Sequence, residues 1–289
     1  MKQLIITADD YGLCESVNQA IESCLAAGAM RSTCVMTNMA AYAEAEVLRK
    51  RFPAASIGIH WTLTQGQPVL SPQKIPTLVN TMGEFFTWSE LRRRVLKRQV
   101  DPAHIRAELV AQHQRLTALI GPVDFWNTHQ NVHVSPGLFH ICVSSGQELG
   151  IPAMRCHRRI TMPRRGSATW YHMWHPLYWI KGVVIDQWSL WAARQGMAMP
   201  AGMISTPGYG RGKAAIEEMM RQVRWPTLKR AAELVIHPAT SIVGELFGQL
   251  RESRLREYAV FSDPGLKDRL WEMGLITVGF ESLYLRSTG

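Results

Sequence analysis

The feature that most constrains the fold is an alternation of short apolar runs with longer segments of helical periodicity, continued along nearly the whole chain. Apolar runs at residues 4–8, 34–36 and 57–63 predict strands, and residues 16–27 and 41–52 between them predict helices. Further strands are predicted at residues 123–127, 154–156, 198–204, 234–237 and 276–278. Strand and helix repeated in this order indicate parallel β/α units.

Eight predicted strands in 289 residues favour an α/β fold, an irregular TIM-like (β/α) barrel of parallel strands with outer helices. We expect one domain over residues 1–289, with a Trp-rich insertion or helix around residues 158–196. An open doubly wound sheet is the alternative. No G-x-G-x-x-G motif follows the first predicted strand, so the sequence gives no support for a dinucleotide site there.

The ends of the predicted strands carry polar side chains. Asp9 and Asp10 follow the first strand, while His60, His129 and His237 each lie at or just past the end of a later one. Parallel strands of a barrel bring these ends to one face, where active sites are built. Taken singly, the residues also suit a solvated turn or a core histidine. Taken together, a mixed Asp/His set suits Zn²⁺ and other first-row divalent ions.

Two of the histidines have informative neighbours. His129 and His133 are four residues apart in a predicted strand end and loop, so one of them would bind the ion and the other would line the pocket. His237 stands directly before Pro238, which biases the backbone of His237 towards an extended conformation and fixes its direction. An imidazole held in this way can act as a general acid.

Net charge, the first residues and the cysteines indicate which partners and which cellular compartment to expect. Thirty-two Lys and Arg against twenty-three Asp and Glu give a charge of +9, which attracts anions but equally describes a solvated basic surface. The basic groups are short, and no nucleic-acid motif accompanies them, so no nucleic-acid partner is expected. The first residues reach Asp9 before a signal-peptide core could form, and the five cysteines lack C-x-x-C spacing. We therefore expect a cytoplasmic protein.

Four segments, in this order along the chain, are similar to the motifs of one family. They are T-A-D-D-Y-G at 7–12, G-I-H-W-T-L-T at 58–64, T-H-Q-N-V-H at 128–133 and E-L-V-I-H-P at 233–238. They resemble the YdjC-like carbohydrate deacetylases, the group that includes chitooligosaccharide deacetylases. The resemblance extends from residue 4 to about residue 265.

The resemblance implies metal-dependent removal of an acetyl group from an N-acetylated amino sugar on a (β/α) barrel. It implies one divalent ion, zinc or magnesium, with Asp10, His60 and His129 as its ligands. It further implies Asp9 as the catalytic base and His237 as the catalytic acid.

Two further residues, Trp61 and His133, are predicted to contact the substrate. Arg155 is similar to an arginine that follows a central strand in the family, which implies that it orients Asp9 or binds a substrate hydroxyl. One position departs from the family pattern, because Asn127 stands where the family commonly has aspartate. Groups that hold a metal ligand tune its affinity, so metal affinity or substrate choice could differ from the family's.

The chain resembles most the branch of the family associated with hopanoid biosynthesis. That resemblance implies a glycolipid substrate, an N-acetylglucosaminyl hopanoid. Residues 170–191 hold five of the ten tryptophans, and tryptophan favours membrane interfaces and sugar faces. We expect this segment either to lie on an anionic membrane, at its inner face, or to pack on the barrel. A homodimer is a further prediction.

Other functions remain open at the level of sequence. The first alternative is an N-deacetylase of soluble chitooligosaccharides. A second is a metal-dependent phosphoesterase or cyclic-amide hydrolase, since the same ligands would serve on the same barrel. A third is a basic, Trp-rich peripheral protein that binds lipid without catalysis.

Overall fold

The structure is a computed structural model of the chain. It describes residues 1–160, 165, 174–204, 212–223, 225, 230–242, 247 and 251–285. Part of the predicted Trp-rich range, residues 161–164 and 166–173, therefore lies outside the described residues.

Every pairing between the named strands is parallel, and they form a curled sheet. The strands are β1 (Lys2–Tyr11), β2 (Ser32–Val35), β3 (Ser56–Trp61), β4 (Trp126–Thr128), β5 (Met203–Ile204), β6 (Ala232–Ile236) and β7 (Leu275–Val278). Their order across the sheet is β4-β3-β2-β1-β6-β5, and β7 also pairs with β1. The predicted α/β fold with parallel strands is thus confirmed.

The helices that connect these strands cover the outside of the sheet. They are α1 (Glu15–Ala26), α2 (Ala45–Arg51), α3 (Trp88–Leu96), α4 (Pro102–Ile120), α5 (Phe139–Glu148), α6 (Pro176–Arg194), α7 (Lys213–Arg221), α8 (Arg251–Phe261) and α9 (Leu266–Glu272). The start of α4 has local causes: the Asp101 side chain accepts the Ala103 N–H, and Pro102 occupies the first turn. Among the described residues, none of these helices is both long and apolar enough to cross a bilayer.

Strand β7 does not occupy a position of its own in the ring of strands. Residues 4–8 of β1 pair with β6, residues 2–5 pair with β7, and residues 7–11 pair with β2. Because a strand has only two edges, β7 and β2 must share one edge of β1, one after the other. The last predicted strand therefore supports the bottom of β1 and adds no further position to the ring.

Between β4 and β5 the sheet continues through single bridges. Trp126 bridges Met154, and Arg159 bridges Met203, both in parallel sense. Residues 153–159 thereby join the two outer strands of the sheet into an irregular ring. Strand β5 is only two residues long, much shorter than the predicted strand at 198–204, because the ladder on this side is interrupted.

The interior of the ring is apolar at the bottom and polar at the top. The bottom is filled by a small buried cluster of Ile5, Cys34, Phe125, Ala153, Ala231 and Phe280. The rings of Phe125 and Phe280 stack with their centroids 3.8 Å apart. Side chains alternate along a strand, so Ile5 and Asp9 face the interior while Leu4 packs under the outer helices. The polar residues of the strand ends consequently lie above a closed apolar floor.

Candidate metal centre and active site

A bulge at the end of β1 brings two consecutive carboxylates into one site. The pairing of β1 with β2 shifts register between Ala8 and Tyr11, and Asp10 has a positive φ of 73°. Consecutive residues of a regular strand would point to opposite faces. Here Asp9 contacts Arg155 while Asp10 contacts His60, and all of these groups are buried.

Three of the predicted ligands converge on one point. The Oδ1 atom of Asp10 lies 3.2 Å from Nε2 of His60 and 3.1 Å from Nδ1 of His129. The two imidazole nitrogens are 3.3 Å apart. The three atoms come from the ends of β1, β3 and β4 and form a nearly equilateral triangle.

The donor set and its spacing suit a divalent ion. Zinc–nitrogen bonds of about 2.0–2.1 Å in a tetrahedron place neighbouring ligand atoms roughly 3.3 Å apart, close to the edges of this triangle. One carboxylate oxygen and two imidazole nitrogens are a ligand set that zinc and other first-row ions accept. Two ring nitrogens that face each other and one carboxylate at this distance also favour a cation between them. The residues present therefore fit the metal that the sequence predicted.

The orientation of His60 is fixed by Asn127. The Nδ1 atom of His60 lies 2.5 Å from the amide oxygen of Asn127, so the ring N–H donates there and Nε2 keeps its lone pair for an ion. The Asn127 amide nitrogen donates to Asp9 at 3.2 Å. At the position where the family commonly has aspartate, asparagine thus still accepts from the histidine, but it brings no charge.

Asp10 is held ionised by its surroundings. Its second oxygen accepts a hydrogen bond of 2.5 Å from Arg254, which reaches in from α8. Burial opposes the charge of Asp10, but the Arg254 guanidinium and the His129 and His60 rings hold its pKa well below the usual range. An ionised Asp10 is the form that can bind a metal.

Asp9 is clamped by a buried guanidinium. Arg155 donates to both oxygens of Asp9 at 2.7 Å, and its other donors reach Glu233 at 3.0–3.1 Å. Burial again opposes ionisation, yet Arg155 holds the pKa of Asp9 well below its usual range. The Cys34 thiol donates to Asp9 at 3.1 Å. Asp9 is therefore a carboxylate of fixed position that is ionised at neutral pH.

A second group of donor atoms, from Asp9, Cys34 and His60, also lies close together. The atoms of this group are already engaged, because Arg155 holds Asp9 and the Asn127 oxygen holds Nδ1 of His60. We therefore assign the candidate metal centre to the triangle of Asp10, His60 and His129.

His237 stands beside Asp9 at the more open side of the site. Its Nε2 atom lies 3.8 Å from Oδ2 of Asp9, and its side chain is 22% exposed, against 4% for Asp9. The backbone N–H of His237 donates to the buried Glu257 carboxylate at 2.6 Å. Residue Glu257 on α8 thus anchors the end of β6 that carries this imidazole.

Two predicted substrate contacts are not brought to the site, and this corrects the expectation for both. Trp61 follows His60 on β3 and so points to the opposite face, where its ring N–H donates to the Leu109 carbonyl of α4 at 3.0 Å. His133 is fully buried against the Trp126 ring, and its Nδ1 lies 2.5 Å from Oγ1 of Thr128. Both side chains are fully buried and engaged within the fold. Arg155 is also buried, and it gives its donors to Asp9 and Glu233, so it orients Asp9.

The sequence reasoning did not single out Glu233 or Cys34 as part of the site. Glu233 is an acidic residue within an otherwise apolar strand, two positions before Val235 and four before His237, which places it on the interior face. That spacing was a usable signal. Cys34 gave no signal, since a cysteine in an apolar strand is ordinarily a small core residue.

Comparison with known proteins assigns the chain to a family. Residues 3–272 match the family described as YdjC-like protein. Over 152 residues the chain is 34% identical to a chitooligosaccharide deacetylase of Yersinia enterocolitica, which covers 52% of this chain and 58% of that protein. Over 178 residues it is 30% identical to a chitooligosaccharide deacetylase of Yersinia pestis, covering 59% of this chain and 68% of that one. The alignments thus span between just over half and about two thirds of these relatives.

One solved structure has the same fold over nearly its full length. It is described as a candidate cellobiose-phosphate cleavage protein of Enterococcus faecalis V583, and it superposes with a TM-score of 0.75 at 22% identity. The superposition covers 98% of this chain and 99% of that one. At this identity the likeness concerns the fold.

Proposed function

The chain belongs to the YdjC-like protein family, and from this premise we propose that it is a metal-dependent hydrolase that removes the acetyl group from an N-acetylated amino sugar. The observation that carries the proposal is the triangle of Asp10, His60 and His129, with an ionised carboxylate and an imidazole beside it. The names of the chitooligosaccharide deacetylases among its relatives support the same substrate class.

Asp10, His60 and His129 would hold one divalent cation, zinc or magnesium. When bound, such a cation supplies Lewis-acid polarisation of the acetyl carbonyl and lowers the pKa of water. Asn127 and Arg254 contribute by holding the His60 ring and the Asp10 carboxylate in their ligating orientations.

Asp9 would be the general base. It stays ionised at neutral pH because Arg155 is paired with it, so it can accept a proton from the attacking water. The same pairing lowers the basicity of the carboxylate but fixes its position. A base held in place gains from orientation what it loses in proton affinity.

His237 would be the general acid. In the hydrolysis, a bond forms between water oxygen and the acetyl carbon, and the carbon–nitrogen bond breaks. Asp9 takes one proton from the water, and His237 gives one to the departing nitrogen, so that acetic acid and a free amine result. The acetic acid ionises to acetate, and the proton on Asp9 returns to His237 for the next turnover. The 3.8 Å between Nε2 of His237 and Oδ2 of Asp9 puts the proposed acid and base next to each other, so that both could serve one bound acetamide.

For the acceptor we propose an N-acetylglucosaminyl hopanoid, encountered at the cytoplasmic face of the membrane. The resemblance to the hopanoid-associated branch and the exposed apolar residues of α6 support it. An N-deacetylase of soluble chitooligosaccharides is the second candidate, favoured by the names of the relatives. The homodimer stays a prediction.

The test is acetate release. Purified protein, first stripped of metal and then reloaded with zinc or magnesium, is incubated with chitobiose and with an N-acetylglucosaminyl glycolipid. Products are followed by mass spectrometry for loss of one acetyl group. We expect His60→Ala to lose both metal and activity, and His237→Ala to keep the metal but turn over roughly 10²–10⁴-fold more slowly.

The matched control is His113→Ala, a half-buried histidine of α4 outside the site, which should keep metal and rate. Phosphate release from simple phosphate esters would instead favour the phosphoesterase. A His60→Ala protein with full metal content and full activity would refute the ligand assignment. If no substrate loses an acetyl group although the metal is bound, the protein is not a deacetylase.

A further inference from the structure

Helix α6 is divided into a packed half and an exposed half. Its second half rests on α5: the ring of Trp188 stacks on Phe139 with centroids 4.8 Å apart, Trp191 meets His140, and Ala192 is fully buried. In residues 176–184, which we call the protruding half, every side chain that the structure describes is exposed.

The exposed residues of the protruding half are mostly large and apolar. Their exposures are Leu177 64%, Trp179 60%, Ile180 57%, Val183 60% and Val184 37%. Large apolar side chains grouped in this way on a solvent-exposed surface indicate contact with a protein or a membrane. At about 1.5 Å per residue, the protruding half extends roughly 13 Å, too short to cross a bilayer but long enough to enter its headgroup region.

Basic side chains also group at the end of α3, and Lys181 within the protruding half is itself exposed. Residues 92–98, at the end of α3, form what we call the basic end, where Arg92, Lys97 and Arg98 are exposed. None of these three has a carboxylate partner within the part of the chain that the structure describes. The exposed Leu96 lies among them.

The basic end and α6 flank the same short loop. A Cβ atom at Gly137 would lie 2.8 Å from Val95 of α3, so the two are in contact. Two residues further along, Phe139 carries the ring on which Trp188 of α6 stacks. The basic end of α3 and the packed half of α6 are thus both tied to residues 137–139. Exposed apolar and cationic groups together are a combination that complements anionic headgroups above acyl chains.

Helix α6 also packs close to the residue that holds Asp9. Ile185, Trp188 and Ser189 line a small cavity of about 10 Å³ together with Arg155, which holds Asp9. The packed half of α6 is therefore adjacent to the wall of the barrel that carries Arg155.

We propose that the protruding half of α6 and the basic end of α3 form a docking surface for anionic lipid bilayers. The surface holds the barrel mouth against the membrane, so that the sugar of a lipid-anchored substrate can reach the metal centre while its apolar part stays in the bilayer. The docking itself does not depend on the chemistry, whereas its use for substrate capture rests on the proposed function.

The experiment is flotation of the full chain with vesicles of equimolar phosphatidylcholine and phosphatidylglycerol, compared with phosphatidylcholine alone. We expect the wild type and the His60→Ala variant to bind the anionic vesicles equally, which separates docking from catalysis. The double variant Ile180→Glu with Val183→Glu should lose binding roughly tenfold or more, because it places charge in the apolar face. Val47→Glu is the matched control, a valine 52% exposed on α2, and should bind normally.

The charges are tested separately. Arg92→Gln and Lys97→Gln should each weaken binding to the anionic vesicles roughly fivefold, whereas Lys267→Gln on α9 should not. All of these positions are exposed, so circular dichroism and urea midpoints should be unchanged. The double glutamate variant should also keep its activity on a soluble N-acetylated oligosaccharide.

Three outcomes would overturn the proposal. The wild type does not float with anionic vesicles, or the double glutamate variant floats as well as Val47→Glu. The third is that sedimentation finds a dimer that Val183→Glu dissociates while vesicles are ignored, in which case a second copy covers this face. If docking holds but no acetyl group is released from any substrate, only the proposed function fails.

Discussion

The two sides of the sheet are built with different regularity. From β1 to β4 the strands pair through ladders broken at one place, the bulge at the end of β1, and the ten-residue strand β1 pairs with three neighbours. From residue 153 to β5 the ladder is reduced to single bridges and a strand of two residues. The three predicted metal ligands all stand on the regular side, whereas Arg155 and helix α6 belong to the irregular side.

This difference teaches how the site divides its tasks. A metal centre requires donor atoms within a few tenths of an ångström, and continuous strands supply that precision. The irregular side contributes a guanidinium that clamps Asp9 and a helix that packs close to it.

The largest effect is expected for Arg155→Met, because Arg155 forms a buried network of ion pairs on the irregular side. A small effect would contradict the comparison. Removing Arg155 leaves the carboxylates of Asp9 and Glu233 buried without their partner. We expect a loss of about 3–5 kcal/mol in the free energy of unfolding, measured by urea denaturation.

The control for Arg155 lies three residues further along. Arg158→Met removes a surface ion pair with Asp186, whose two side chains are 51% and 49% exposed, and should cost no more than about 1 kcal/mol. Equal effects of the two variants would mean that the irregular side holds no buried network.

The second prediction concerns the regular side. Asn127→Ala removes the acceptor that orients His60 but leaves all three ligands. We expect metal affinity to fall about 10–100-fold, measured by competition with a chelator. Asn38→Ala, an amide that binds the loop carbonyls of Gln65 and Gln67, is the control and should leave affinity unchanged. An unchanged affinity for Asn127→Ala would show that the strand alone orients the ring.

Gly58→Ala tests how tightly the regular side is packed. A Cβ atom at Gly58, two residues before His60, would lie 2.7 Å from the backbone oxygen and ring of Phe125. The contact should cost about 1–3 kcal/mol of unfolding free energy. By contrast, a Cβ at Gly182 of α6 meets nothing within 4 Å, so Gly182→Ala should stabilise the helix slightly. Both variants are compared with the wild type by calorimetric unfolding. Equal changes in stability would mean that the two sides are packed equally tightly.

The smallest expected effect is a pH dependence of stability that arises from His133 on the regular side and His157 on the irregular side, which are in contact. Their rings are 4.7 Å apart, and burial lowers the pKa of both, well below the usual range for His133 and to about 3 for His157. The folded protein keeps them neutral where the unfolded chain takes up protons, near pH 6.5 and below. Their stabilising effect is therefore complete above that pH and is lost as the pH falls.

For His133 the loss should be about 1 kcal/mol of unfolding free energy between roughly pH 7 and pH 5.5. Urea denaturation at both pH values should give a smaller difference for His133→Gln than for the wild type. His157→Gln should show an effect of the same sign and similar size, because a folded pKa of about 3 keeps His157 neutral throughout this pH range. Identical pH dependence in all three proteins would contradict the assignment.

Much of the site could be predicted because its logic is local. A polar residue at the end of an apolar strand, repeated at Asp10, His60 and His129, is sufficient to place three side chains on one face once the strands are parallel. The same alternation of side chains would have placed Trp61 outside the barrel. Its prediction as a substrate contact followed the neighbouring histidine and neglected the period of the strand.

Other parts depended on contacts that no local pattern contains. Arg254 reaches Asp10 across 244 positions of sequence, and nothing near Arg254 announces a buried partner. The division of one edge of β1 between β2 and β7 follows from the curvature of the sheet. The bridges that join residues 153–159 to β5 depend likewise on closure of the ring, which a count of apolar runs cannot give.

The left-handed backbone at Asp10 has a consequence for how an ion would be captured. A non-glycine residue in this region costs on the order of 1–3 kcal/mol, which the surrounding fold must offset. Folding itself therefore brings the three donor atoms together, and the entropy of ordering them is lost before any ion binds. The site should then be preorganised for the ion, and the backbone conformation should be the same in the ion-free and the ion-loaded protein.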